Sequence, residues 1–252
     1  LVRCRINRLS HIDRVTERVD TLILGYAGDL GRLRRTDAVA RWLSTALERQ
    51  LNVFSFQTLS APRYQPYLRA AREQGLTFMA PEVPAEGELL LPVQTEPVNV
   101  PVLAVFGTSS SQGKLTVQLA LRRTLAEWGY RIGQIGTEPH AELLGMDHAF
   151  PIGHASTVNL PLDSYPEYLD SKMRELCKRK RPDLIIAGSQ SGTIPFDLHD
   201  PSTSALPSLS FMLGIKPDAC VLVVNAIDAG SYIQIPLMRS GPSASVRYWR
   251  WR

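Results

Sequence analysis

A glycine-rich segment that ends in Gly113-Lys114 constrains the fold of this chain more than any other feature of its sequence. Residues 102–106 read VLAVF, an apolar strand, and residues 107–116 read GTSSSQGKLT and lead into a helical pattern over residues 114–128. A strand, a loop of Gly, Ser and Thr, and a helix that begins at lysine place several backbone N–H groups around one concavity, where an anion fits. The segment therefore predicts a phosphate-binding P-loop.

The residues at the end of this loop favour phosphate binding over nucleotide hydrolysis. Lys114 supplies a mobile charge for phosphate oxygens, and a Ser or Thr at the helix start usually coordinates the Mg²⁺ of a nucleoside triphosphate. Here Leu115 follows the lysine, so Mg²⁺ coordination would depend on Thr116. The predicted cofactor-binding residues are Gly107, Thr108, Ser109, Ser110, Ser111, Gln112, Gly113, Lys114, Leu115 and Thr116.

Strands and helices alternate in both halves of the chain, which predicts an α/β fold with parallel sheets. In the first half, apolar runs and helical patterns predict strands at residues 21–26, 51–56 and 76–79 and helices at 37–50 and 62–74. In the P-loop half, they predict further strands at 131–135, 183–187 and 219–224 and a further helix at 166–180. The strands are apolar on both faces, as expected when helices cover both sides of a sheet.

Five prolines between residues 81 and 101 interrupt the alternation and mark a domain boundary. We predict an N-terminal domain over residues 1–98, whose Pro-rich linker begins near residue 81, and a P-loop domain over 99–234. Residues 235–252 show neither helical nor strand periodicity and end in YWRWR, so we predict an unpatterned tail. A truncation or a frameshift would produce such a tail.

A second glycine pattern is a weak dinucleotide signal. Gly25, Gly28 and Gly31 are each three residues apart, whereas the dinucleotide fingerprint places its first two glycines two apart. We predict a turn over residues 25–31.

Further candidate site residues follow other strands, where ligands of parallel sheets bind. Glu138 is a candidate general base or an acid near Mg²⁺, and Ser189 and Gln190 are candidates for orienting a substrate. Helix capping and loop formation are the alternative roles of these residues. His148 and His154 lie near Asp147 in a long connection and are candidates for acid–base roles, with solvated loop histidines as the alternative.

Composition excludes several classes of protein. No run approaches the roughly 20 apolar residues that span a bilayer. The net charge of +4 comes from separate basic segments without interleaved aromatics, which argues against a nucleic-acid groove. The three cysteines form no CxxC pair, which argues against a zinc site, and the N-terminal residues lack the pattern of a secretory signal. We expect a cytoplasmic protein that binds neither membranes nor nucleic acids.

The P-loop and several other segments resemble a family long catalogued as a domain of unknown function (number 1611), which includes D-glutamate N-acetyltransferases. The similar segments are GQIGTEPHAELLGMD from Gly133, PDLIIAGSQSGT from Pro182, KPDACVLVVN from Lys216, and, in the first half, ILGYAGDLG, ALERQLNVFSFQTLS and AREQGLTFMAPEVP. The resemblance implies a Rossmann-like N-terminal domain followed by a P-loop NTPase-like domain. Leu115 and Ala187 differ from the residues of acetyltransferase-like members.

Three functions are compatible with these features. The first, implied by the resemblance, is transfer of an acyl group from acetyl-CoA to a small amino acid. The second is an ATP-dependent ligase or kinase, because the loop is similar to that of dethiobiotin synthetase-like enzymes, with Mg²⁺ as a further cofactor. The third is a non-catalytic nucleotide-binding module or inactive fragment. A homo-oligomer is also expected, because the edge of the P-loop sheet would need covering.

Overall fold

The computed structural model describes residues 19–84, 98–188, 192–193 and 205–224. The predicted site residues Ser189 and Gln190 lie outside these ranges, as does the predicted tail at 235–252. Among the helices of the described ranges, none is long and apolar enough to cross a membrane.

The first half contains a three-stranded parallel sheet in the order β1-β2-β3. Apolar residues of the sheet and its helices, among them Leu24, Leu43 and Val53, pack into one core. The elements are β1 (Thr21–Leu24), α1 (Ala27–Arg34), α2 (Ala38–Glu48), β2 (Asn52–Ser55), α3 (Gln65–Glu73), which a 3₁₀ turn (Pro62–Tyr64) precedes, and β3 (Phe78–Met79).

The glycine segment after β1 forms helix α1 rather than the predicted turn. Its glycines are required by close packing instead of by a left-handed backbone. A Cβ on Gly31 would lie 2.5 Å from the carbonyl oxygen of Thr36, and a Cβ on Gly28 would lie 2.7 Å from Gln57 Oε1. Glycine spacing alone does not distinguish a turn from a helix that approaches another segment this closely.

The P-loop half contains a five-stranded parallel sheet in the order β6-β5-β7-β4-β8. The chain is therefore α/β with parallel sheets, as the sequence predicts. The elements are β4 (Val102–Gly107), α4 (Lys114–Glu127), β5 (Ile132–Gly136), β6 (His148–Ala149), α5 (Tyr165–Lys180), β7 (Leu184–Gly188), α6 (Leu206–Ile215) and β8 (Ala219–Val223).

Two elements of this half were not predicted from the sequence. Strand β6 has only two residues, too few to show a period. Helix α6 reads LPSLSFMLGI, and its apolar residues surround the helix without a polar stripe, so helical periodicity does not reveal it.

The segment that enters the predicted linker packs against the P-loop half. Val83 belongs to the core of the second sheet and forms a parallel bridge with Val158. Thr157 Oγ1 donates a hydrogen bond to the carbonyl oxygen of Pro81 at 2.5 Å. The start of the Pro-rich stretch is thus held by the loop that precedes α5, and the domain limits at 98 and 234 stay a prediction.

Candidate phosphate site

The P-loop lies between the carboxyl end of β4 and the first turn of α4. Ser111 and Gly113 adopt positive φ angles of 58° and 90°. Residues in this left-handed conformation turn successive backbone N–H groups toward one side of a loop, which favours an anion. Helix α4 begins at Lys114, and its partial positive charge adds to the same effect.

The side chain of Gln112 fixes the shape of the loop from within. Its Oε1 accepts a hydrogen bond from the N–H of Ser109 at 3.0 Å, and its Nε2 donates to Thr108 Oγ1 at 2.7 Å. From outside, Thr193 donates through its N–H and its hydroxyl to the carbonyl oxygen of Gly107, at 2.9 and 3.1 Å. These contacts hold the loop on both sides.

Lys114 is folded back over the loop. Its Nζ donates a hydrogen bond to the carbonyl oxygen of Ser109 at 2.6 Å, and only 5% of the residue is exposed. Burial lowers the pKa of Lys114, while the nearby charge of Glu138 raises it. A phosphate in the loop would offer this ammonium a charged partner in place of a neutral carbonyl.

The loop forms one side of a cleft of about 400 Å³. Glu138, Gly153 and His154 form the other side. The loop contributes Ser110, Ser111, Gln112, Gly113, Lys114 and Leu115. The structure therefore brings Glu138, predicted only from its position after a strand, next to the predicted P-loop.

The position after the P-loop lysine, where a hydroxyl usually binds Mg²⁺, holds an apolar residue in this cleft. Thr116 is exposed and is not among the lining residues, whereas the apolar Leu115 is. In the described ranges there is also no group of three or more His, Cys, Asp or Glu side chains that could hold a metal ion. A metal role for Thr116 stays a prediction, and no step below is routed through a metal.

Glu138 is a partly buried carboxylate in the wall of the cleft. Burial raises its pKa, and the charge of Lys114 opposes this shift. Within the described ranges, no residue donates a hydrogen bond to its carboxylate. Such a group is able to accept either a proton or a cation.

His154 is held by the first half of the chain. Its Nε2 lies 2.6 Å from Asp29 Oδ2 in α1, and the Tyr26 ring packs edge-on against its imidazole with the ring centroids 5.0 Å apart. Nearby, the rings of Phe56 and His140 stack at 5.0 Å. Residues that follow β1 and β2 thus meet residues that follow β5 and β6.

His154 does not share a site with Asp147 and His148. The Asp147 carboxylate accepts hydrogen bonds from the N–H of Gln134 and from Lys180 Nζ, and His148 Nε2 lies 3.2 Å from the Tyr168 hydroxyl. Neither residue lines the cleft. The Asp29–His154 pair was missed from the sequence, because 125 residues separate its members and no local pattern connects them.

The family of the chain follows from a match to a family model. Residues 92–238, more than half of the chain, match the model of the DUF1611 family, whose description is "domain of unknown function (DUF1611_C) P-loop domain". The chain belongs to the DUF1611 family. No curated protein matches this DUF1611 chain.

A solved structure supports the fold. The crystal structure of a DUF1611 family protein from Anabaena variabilis, at 2.30 Å resolution, is similar to this chain with a TM-score of 0.51 and 19% sequence identity. The similarity covers 75% of this chain and 50% of that one. This DUF1611 chain therefore matches about half the length of its solved relative, and the likeness concerns the fold alone.

Proposed function

We propose that the P-loop of this chain binds the phosphates of acetyl-CoA, and that the chain transfers the acyl group to the amine of a small amino acid. One combination of features carries the proposal. Lys114 and a loop with left-handed residues lie at a helix N-terminus, and the apolar Leu115 occupies the position that usually supplies a metal ligand. Coenzyme A presents a pyrophosphate and a 3′-phosphate, which such a loop can hold without a metal ion.

The transfer needs a base, and Glu138 is the candidate in the cleft. The amine nitrogen attacks the thioester carbonyl carbon, a new N–C bond forms and the C–S bond breaks. The proton that the amine loses passes to Glu138 and then to the departing thiolate, which leaves as a thiol. Burial raises the pKa of Glu138, which favours proton acceptance by this carboxylate. Ser189 and Gln190 stay candidates for orienting the substrate.

An ATP-dependent ligase or kinase is the second candidate function. It is favoured by the loop itself, in which five residues separate Gly107 from Gly113, as in the dethiobiotin synthetase-like form. The apolar Leu115, in the position whose hydroxyl usually binds Mg²⁺, argues against it, because phosphoryl transfer from ATP relies on that ion.

Isothermal titration calorimetry distinguishes these functions. The proposal predicts that acetyl-CoA binds and that its affinity is the same with Mg²⁺ and with a chelator. Tighter binding of ATP that requires Mg²⁺ would favour the ligase or kinase instead. Binding of neither ligand at millimolar concentration would contradict both enzyme functions. It would leave a module that neither transfers acyl groups nor uses ATP.

A further inference from the structure

We propose that the first half of the chain is a movable cover of the phosphate cleft, held closed by two contacts that open together. The cover is residues 19–79, which contain β1 to β3 and α1 to α3. One contact joins the Glu82 carboxylate to the loop after β2, and the other joins Asp29 to His154 in the wall of the cleft. The proposal holds for any phosphate ligand of the cleft.

Glu82 is anchored on the P-loop half, although it follows the last strand of the cover. The carbonyl oxygen of Pro81, before it, accepts a hydrogen bond from Thr157 Oγ1. Val83, after it, is buried in the core of the P-loop half. The N–H of Val83 donates to the Thr157 carbonyl oxygen at 3.0 Å, and its carbonyl oxygen accepts from the N–H of Asn159 at 2.9 Å. Because both neighbours are held, the Glu82 side chain extends from a fixed point.

One oxygen of this carboxylate holds the cover. Glu82 Oε1 accepts hydrogen bonds from the N–H of Leu59 at 2.7 Å and from the N–H of Ser60 at 3.2 Å. The Thr58 hydroxyl donates to the same oxygen at 2.9 Å. Hydrogen bonds to a charged acceptor are stronger than those between neutral groups. A side chain fixed on the P-loop half thus binds three donors of the loop that follows β2.

The second contact reaches the cleft itself. The side chains of Asp29 and His154 are 40% and 59% exposed, so their ion pair lies at the surface, where water can replace either partner. The Tyr26 ring packs against His154, and the Phe56 ring against His140. Opening of the cover would therefore release His154 from Asp29 and Tyr26 and change one wall of the cleft.

The packing of the two halves favours movement of the cover as one body. In the described ranges, the apolar core of the cover and the cores of the P-loop half are separate clusters. Domains that meet through polar contacts, and not through a shared apolar core, are expected to move relative to each other. Ala80, between the end of β3 and the anchored Pro81, is the hinge. A cover that moves on this hinge with its core intact breaks both contacts at once.

NMR of the whole chain, without a ligand, tests the coupling in both directions, because coupling between two sites is reciprocal. In Glu82→Ala, we expect the ¹⁵N signals of the His154 ring to shift toward their positions in Asp29→Ala. In Asp29→Ala, we expect the amides of Leu59 and Ser60 to exchange hydrogen about two- to fivefold faster, as the loss of an exposed ion pair predicts.

Two controls accompany these variants. The N–H of Val53 donates to the Thr77 carbonyl oxygen inside the cover, and its exchange rate should stay the same in both variants because the cover remains folded. Glu73→Ala removes an exposed glutamate from α3 of the cover. This variant should leave the His154 signals, and the exchange of Leu59 and Ser60, as they are in the unmodified chain.

Three results would overturn the cover. Unchanged His154 signals in Glu82→Ala, or unchanged exchange of Leu59 and Ser60 in Asp29→Ala, would show that the two contacts open independently. Faster exchange of the Val53 amide in Glu82→Ala would show that the cover unfolds instead of moving. Because the samples contain no ligand, these outcomes are separate from the binding of acetyl-CoA, and failure of that binding would refute the transferase alone.

Discussion

Gly107 determines how closely Lys114 can approach the end of β4. A Cβ at this position would lie 2.8 Å from Lys114 Cδ and 2.9 Å from Gln112 Oε1. Both neighbours are committed elsewhere: Lys114 contacts the Ser109 carbonyl oxygen, and Gln112 holds the loop. The absence of a side chain at residue 107 is therefore a requirement of the site.

We expect Gly107→Ala to destabilise the fold and to weaken ligand binding together. Overpacking of a close contact costs about 1 to 3 kcal/mol, and we expect a loss of that size in the free energy of unfolding, measured by urea denaturation. Gly25→Ala is the matched control, because Gly25 lies at the end of β1 as Gly107 lies at the end of β4, but a Cβ there meets nothing within 4 Å. Equal stability of the two variants would contradict this explanation.

At the residue scale, the Gly-Lys motif predicted Lys114 and the position after a strand predicted Glu138, since the carboxyl ends of parallel strands meet at one edge of a sheet. Position after a strand could not show which side chains contact each other. Asp29 and His154 are joined only by the docking of α1 against the loop after β6. Such tertiary contacts have no local signal in a single sequence.

Among the elements, α2 has the clearest start signal. Asp37 precedes the helix, and its Oδ1 accepts a hydrogen bond from the N–H of Ala40 at 2.9 Å. The same carboxylate accepts a hydrogen bond from the Tyr64 hydroxyl and lies 3.4 Å from Arg63 Nε. One side chain thus caps α2 and contacts the segment that precedes α3.

We expect Asp37→Ala to lower the free energy of unfolding by about 1 kcal/mol, the usual effect of removing an N-cap. Asp37→Asn should retain most of the stability, because asparagine caps helices about as well as aspartate. Urea denaturation of both variants measures the difference. A loss as large in Asp37→Asn as in Asp37→Ala would show that charge, and not the cap, is responsible.

The sequence predicted the helices that have one apolar face and the strands that are apolar on both faces. Strands β4, β5, β7 and β8 all lie within a residue of their predicted limits. Helix α1 was missed because its glycines serve packing, and β6 and α6 because one is too short and the other lacks a polar face.

For the whole molecule, the partly buried His148 makes the free energy of unfolding depend on pH. Burial, with the charges of Lys172 and Arg179, lowers the pKa of His148 to about 4, from 6.5. Between these two values the unfolded chain binds more protons than the folded chain. Stability from this residue is therefore complete above pH 6.5 and is lost as the pH falls toward 4.

We expect the free energy of unfolding to fall by about 2 kcal/mol between pH 7 and pH 5 through His148 alone. His148→Leu, which cannot titrate, should show a correspondingly smaller fall between the same two pH values. Parallel urea titrations at both pH values provide the comparison, and identical pH dependence of the two proteins would rule out His148 as the cause.

The two parallel sheets could be predicted from the sequence, but the contacts between the two halves of the chain could not. The contacts of Tyr26 and Asp29 with His154, and of Phe56 with His140, place the first half beside the phosphate cleft. These pairs depend on the arrangement of both halves in space. The cytoplasmic location and the homo-oligomer stay predictions.

Binding of acetyl-CoA to Lys114→Ala tests the central claim, that the P-loop holds the phosphates of a cofactor. A charged hydrogen bond contributes about 1.5 to 3 kcal/mol, so calorimetry should show at least roughly tenfold weaker binding than in the unmodified chain. Lys172→Ala, which removes a lysine outside the cleft, should bind acetyl-CoA like the unmodified chain. Equal affinity of Lys114→Ala and the unmodified chain would contradict the claim.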